Sequence, residues 1–141
     1  MLLFEQEEED MKKITIVICI LAAVMLTIMF VLKYNLNKTR TQMAIIEQSN
    51  VLSQTEFIDQ YTTTGTTITI YVSDLWLVSS NTEHINWCKN LGLQMDKIYC
   101  KCTKKNLGNI YMHIYIHNDN GTVSELAWYK PSGEVELYYK H

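Results

Sequence analysis

Four residues carry side chains soft enough to bind a metal or exchange a thiol: His84, Cys88, Cys100 and Cys102. If residues 81–91 form a helix, His84 and Cys88 stand four apart on one face. If Ile98 to Cys102 form a strand, Cys100 and Cys102 stand two apart, again on one face. Packing that helix on that strand would gather four ligands of the kind and number that zinc takes. The spacing H-x3-C-x11-C-x-C follows no recognised zinc pattern, however, and C-x-C chelates less well than C-x2-C. Two other outcomes compete with it. One is a disulfide from Cys88 to Cys100 or Cys102 in an oxidising compartment; the other is thiols packed as small apolar groups. With three cysteines beyond the N-terminal segment, any internal bridge leaves one thiol over. The expectation is no cofactor, with zinc on these four residues as the alternative.

A second set lies on one run of alternating residues, Ile110 to His117. In a strand, Ile110, Met112, Ile114 and Ile116 share one face, while Tyr111, His113, Tyr115 and His117 share the other. The aromatic, protonatable face is a candidate surface for a partner; the plainer alternative is cross-strand aromatic pairing that only stabilises the sheet. Tyr129, Tyr138 or Tyr139 would enlarge it. No catalytic residues are assigned. Asp74, Asp96 and Glu125 are isolated carboxylates suited to solvation or capping, and no HExxH, GxSxG, P-loop or dinucleotide fingerprint occurs.

The elements that must position these residues read as an α+β fold. Ser80 and Glu83 have capping-box spacing, which predicts a short helix through Leu91 with Gly92 as its C′ residue. Thr67 to Val78 is β-rich. Beyond it, strands are predicted at 98–102, 110–117, 123–130 and 135–140. Between them stand Asn106-Leu107-Gly108-Asn109, Asn118-Asp119-Asn120-Gly121 and Pro131-Ser132-Gly133, all with turn chemistry. Short turns join antiparallel neighbours, so residues 97–140 are expected to be a four-stranded meander, five-stranded if 67–78 joins. Its apolar face needs the 81–91 helix or the helical stalk that precedes the domain as cover.

Upstream, Ile14 to Leu32 contains 19 residues without a charge, Gly, Pro, Asn or Gln. As a helix it is about 29 Å long, the thickness of a bilayer's hydrocarbon core. Lys12 and Lys13 bracket one end, Lys33 and Tyr34 the other, as snorkelling and interfacial residues do. No small-residue cleavage site follows the run, so the segment is expected to stay as a signal-anchor in the lipid bilayer rather than be removed. Residues 33–65 should continue it as a helical stalk, with Met43, Ile46, Asn50, Ser53 and Phe57 in 3-4 spacing, until the Thr62–Thr67 run breaks it. Residues 66–141 then form the domain. Basic residues flank the span almost evenly; a short basic start before an apolar run favours a cytoplasmic N-terminus, residues 1–13, and an extracytoplasmic domain at the cell membrane.

The first ten residues, with five acids before Met11, have two readings. They are either a solvated acidic tail or a misassigned start, since Glu7-Glu8-Glu9 can be encoded by a purine-rich ribosome-binding sequence upstream of Met11. From Thr41 to His141 there are seven Lys against ten Asp or Glu, a net of −3, which argues against nucleic acid as a partner. Frequent Ile, Asn, Lys and Tyr suggest a low-GC bacterium, in which the sequons at Asn37 and Asn120 are incidental.

An apolar N-terminal helix, a helical stalk and an antiparallel sheet resemble the layout of type IV pilins and pseudopilins. Those proteins carry a Gly before the apolar run and a Glu five residues into the mature chain. Here the stretch reads Lys12-Lys13-Ile14-Thr15-Ile16-Val17-Ile18, with neither. A pilin-like subunit is therefore the second alternative. The leading expectation is a non-enzymatic accessory protein of a bacterial envelope, secretion or conjugation assembly, with a protein partner. A small metal or thiol redox module built on the cysteines is the first alternative.

Overall fold

The computed structural model describes residues 1–138 and divides them into two compact units, Met1–Lys38 and a second from Thr39 onward. Helix α1, Leu2–Leu52, passes through the boundary. In the first unit every residue is solvent-exposed, and the apolar run lies wholly within the helix. The acidic residues before Met11 are helical rather than disordered. Pairs at i,i+4 explain this: Glu8 meets Lys12 at 2.8 Å and Glu9 meets Lys13 at 3.0 Å.

The second unit is α+β, as its alternating strands imply. After α1 come β1 (Ile58–Thr63), β2 (Thr67–Val72), α2 (Asp74–Leu77), α3 (Asn81–Thr103), β3 (Tyr111–His117), β4 (Val123–Tyr129) and β5 (Val135–Leu137). The five strands form one sheet in sequence order. It is mixed rather than a pure antiparallel meander, because β2 and β3 run parallel, with Ile68 opposite Met112 and Ile70 opposite Ile114. Parallel neighbours need a long crossover, and α2 with α3 supply it.

Four sequence-based expectations differ from the structure. Ile98 to Cys102 is not a strand: the stripe His84, Cys88, Leu91, Met95, Tyr99 keeps helical spacing straight through it, and all five residues are buried. Gly92 does not end the helix. The left-handed C-cap is Lys104, with φ 61°, and Gly92 lies mid-helix because the sheet comes too close for a side chain. The stalk ends at Leu52, and Ile58 to Thr63 is a strand hairpinned to β2 through Gly65, whose φ of +98° suits glycine. Likewise 67–78 is a strand only to Val72; Ser73 turns the chain into α2. The capping box at Ser80 is present in both directions: its hydroxyl accepts from Glu83 N at 3.3 Å, and Glu83 accepts from Ser80 N at 2.7 Å. The predicted strand residues Tyr139 and Lys140 lie outside the described residues.

The core lies between the sheet and two helices. Ile68, Ile70, Met112, Ile114 and Ile116 face α3 and the last turns of α1. On α1 the buried face is Ala44, Gln48 and Leu52, whereas Met43 and Ile46 point to solvent. A buried glutamine is tolerated only when fully bonded. Gln48 is: its amide nitrogen donates to the Gly65 carbonyl at 2.9 Å and the Met95 carbonyl at 3.2 Å, and its oxygen accepts from Thr63 Oγ1 at 2.7 Å. One side chain thus ties α1, the β1–β2 turn and α3 together.

Candidate functional site

The outer face of the sheet is the most developed surface of the second unit. On β3 the pleat buries Met112, Ile114 and Ile116 and turns Tyr111, His113, Tyr115 and His117 outward, as alternation dictates. The structure adds neighbours from both adjoining strands. Tyr71 on β2 stacks on His117 with ring centroids 4.6 Å apart and lies 5.7 Å from Tyr115. His113 stacks on Trp128 of β4 at 5.7 Å, and Lys130 sits over the same indole at 4.9 Å. The rings thus form one row across three strands.

His113 is fixed by more than stacking. Its Nδ1 lies 2.8 Å from Glu125 Oε1. Glu125 and Trp128 are three apart, so an unbroken strand would put them on opposite faces. A β-bulge resolves this: Ile114 pairs with Ala127, but Tyr115 pairs with Glu125, leaving Leu126 extra. Leu126 and Ala127 are both buried, and the side chains on either side, Glu125 and Trp128, both reach His113. The apolar pair Leu126-Ala127 inside an otherwise alternating run is the sequence signal for this bulge. Tyr71 and Trp128 had no comparable signal, because strand order decides which residues stand beside β3.

Electrostatically the row is mixed. Burial, then the neighbouring Glu125 carboxylate, pushes the Tyr115 hydroxyl above its ordinary pKa, so it remains a neutral donor. A hydrogen bond to Glu136, at 3.0 Å, raises Lys130 further and keeps it charged. Tyr138 is exposed, and its pKa is raised by partial burial and then by Glu125. Tyr129 does not join the face: it points into the core, and Tyr139 is beyond the described residues.

The sulfur-bearing set is spread along α3. Cys88 and Cys100 are twelve residues apart on one helix, about 18 Å along its axis, whereas a disulfide needs Cα atoms within about 7 Å. Cys100 and Cys102 point to opposite sides of the helix, and all four cysteines of the chain are free. Among the described residues no group of three or more His, Cys, Asp or Glu could hold a metal ion. His84 is engaged elsewhere: its ring stacks on Trp76 at 3.8 Å and Nε2 donates to the Trp76 carbonyl at 2.6 Å. Burial pushes the Cys88 thiol up to about 12. Cys100 is raised by burial and then by Asp96, whose oxygen accepts its S–H at 3.5 Å. The same carboxylate accepts from Gly108 N at 2.7 Å and Asn109 N at 3.4 Å, so Asp96, itself buried, organises the turn from α3 into β3.

No protein-family model, no curated protein and no solved structure matches the chain.

Proposed function

We propose that the protein is a single-pass membrane protein, anchored through residues 14–32, whose α+β domain is a non-enzymatic docking module in a bacterial envelope, secretion or conjugation assembly. The N-terminus is cytoplasmic and the domain extracytoplasmic. The observation that carries this reading is the helix itself. It is long and apolar enough to cross a membrane, and none of its most apolar window is buried. The two threonines of residues 14–32 return their hydroxyls to the helix, Thr15 to the Met11 carbonyl and Thr27 to the Ala23 carbonyl, each at 2.9 Å. Polar groups satisfied within their own helix are what a hydrocarbon environment demands. The docking surface is the row around His113, an aromatic and mixed-charge face of the kind that anchors partners.

Carbonate washing of membranes tests the anchor: the full-length chain should stay with the lipid, and the double substitution L21R/V24R should release it. Recovery of the wild-type chain in the wash would overturn the reading. A photo-crosslinker at His117, exposed in the row, should trap a partner in intact membranes, while one at Asn90, exposed on α3, should not. Equal yields at the two positions would remove the docking role.

A further inference from the structure

Most basic residues of the domain gather at one end. Thr41 of α1, the β1–β2 turn and the last turns of α3 meet at one end, since a Cβ on Gly65 would touch Thr41 at 3.3 Å and the Tyr99 ring at 3.4 Å. Arg40, Lys101, Lys104 and Lys105 belong to this end, together with the β4–β5 turn, which lies against Gly108 and brings Glu134 and the paired Lys130 and Glu136. Lys101 reaches Glu47 at only 3.9 Å, and Lys105 bonds the Tyr99 hydroxyl at 3.3 Å rather than an acid. Exposed Leu107 follows directly, and exposed Tyr111 hydrogen-bonds back to Thr66. The opposite end holds the start of β1, the end of β2, α2 and the β3–β4 turn, with Glu56, Asp59, Asp74, Glu83 and Asp119. Neither 51–88 nor 106–129 contains a single Lys or Arg.

The basic end is also the tethered one. Leu32, the last apolar residue of the span, and Arg40 are eight residues apart, so no conformation of the chain between them can separate the two by more than about 28 Å. Lys33 and Lys38 lie in that connection. We infer that Arg40, Lys101, Lys104 and Lys105, with Leu107 and Tyr111 beside them, form a basic collar that docks the domain on the anionic phospholipid headgroups of the membrane that anchors it. The inference rests on the anchor reading. Each lysine or arginine at an anionic bilayer surface favours the bound state about fivefold, and the attraction fades within a Debye length of about 10 Å. An exposed leucine and tyrosine beside the charges match the composition of interfacial surfaces. The acidic end, by the same electrostatics, is turned from such a surface.

The test uses the full chain in nanodiscs of phosphatidylcholine, with or without one third phosphatidylglycerol, and measures lysine acylation by mass spectrometry. Lys101, Lys104 and Lys105 should be acylated at least fivefold more slowly in the anionic discs and recover in 0.5 M salt. Lys89, exposed on the same helix about 18 Å away, is the internal reference and should not change. In the variant K101Q/K104Q, Lys105 should lose its protection. Equal rates in both discs would overturn the collar and leave these residues to an acidic protein. Slowing of Lys89 by the same factor would overturn it too. A chain that fails to co-purify with either disc would overturn the anchor, and the collar with it.

Discussion

Gly92 of α3 and the ring of Tyr129 on β4 are so close that a Cβ on the glycine would stand 2.6 Å from the ring carbons. Helix and sheet approach to this distance because one partner has no side chain. In an exposed helix, Gly→Ala is favourable by about 1 kcal/mol. Here G92A should instead destabilise by roughly 2 kcal/mol, the cost of overpacking, because the Tyr129 ring is itself buried and has nowhere to move. Urea unfolding of G92A, alone and with Tyr129→Leu, checks it: the second change should remove most of the glycine's penalty.

Gln48 offers a second stability test. Q48L keeps the volume but strands the Gly65 carbonyl and the Thr63 hydroxyl without their partner. A loss of about 2–3 kcal/mol is expected, since unpaired buried polar groups cost more than the bond itself returned. The double variant Q48L/T63V also removes the acceptor of the buried Gly65 N–H, 3.0 Å from Thr63 Oγ1, and should therefore recover none of the loss.

Cys88 gives a pH dependence. The thiol sits near 9 in the unfolded chain and near 12 in the folded one, so the folded state holds the proton more tightly. The stability this contributes is complete below pH 9 and drains away as pH rises towards 12, at up to about 1.4 kcal/mol per pH unit for the one proton. Tyr115 and Tyr129, also raised, act in the same direction. Comparing the alkaline unfolding of C88A with wild type isolates the cysteine, and the variant should show the shallower slope. Under native conditions at pH 8, alkylation should reach Cys100 and Cys102 well before Cys88.

The capping box titrates the other way. Hydrogen bonds from the Ser80 backbone and side chain, in that order, hold the Glu83 carboxyl below its ordinary range. Its contribution is therefore present above about pH 4.5 and lost as pH falls through the lowered value. S80A should cost about 1 kcal/mol at pH 7 and less at pH 3, measured by thermal or urea unfolding.

On the outer face, the His113–Glu125 bond predicts a coupling of about 0.5–1 kcal/mol in a double-mutant cycle with H113A and E125A. A coupling indistinguishable from zero would mean that the bulge, not the bond, sets the position of Glu125.

Much of the architecture was legible because local chemistry and global fold agree. The alternation from Ile110 to His117, the Asn118–Gly121 turn, the Ser80 box and the charge-free run at 14–32 each have one dominant interpretation. The misreadings share a cause. Ile98-Tyr99-Cys100-Lys101-Cys102 satisfies period 2 over five residues, yet it sits within a longer helical stripe, and Gly92 mimicked a stop signal that only the nearness of Tyr129 explains. The zinc and disulfide alternatives depended on that strand, so their geometry went with it. Ile58 to Thr63 carries four polar residues of six and pairs along only one side, at the sheet's edge, which left little pattern to find. The parallel β2–β3 pairing has no local signature at all.

That pairing also sets the order in which the domain can assemble. The β1–β2 hairpin and the β3–β4–β5 ribbon each form from neighbours in sequence, but Ile68 must find Met112 across more than forty residues. Closing so long a loop is entropically uphill until α3 bridges it, so the seam down the middle of the sheet is expected to close last. A nascent chain that has not yet made β3 therefore displays the naked edge of β2, and the interval before α3 lies down across the sheet is when this protein is most open to pairing with the wrong strand.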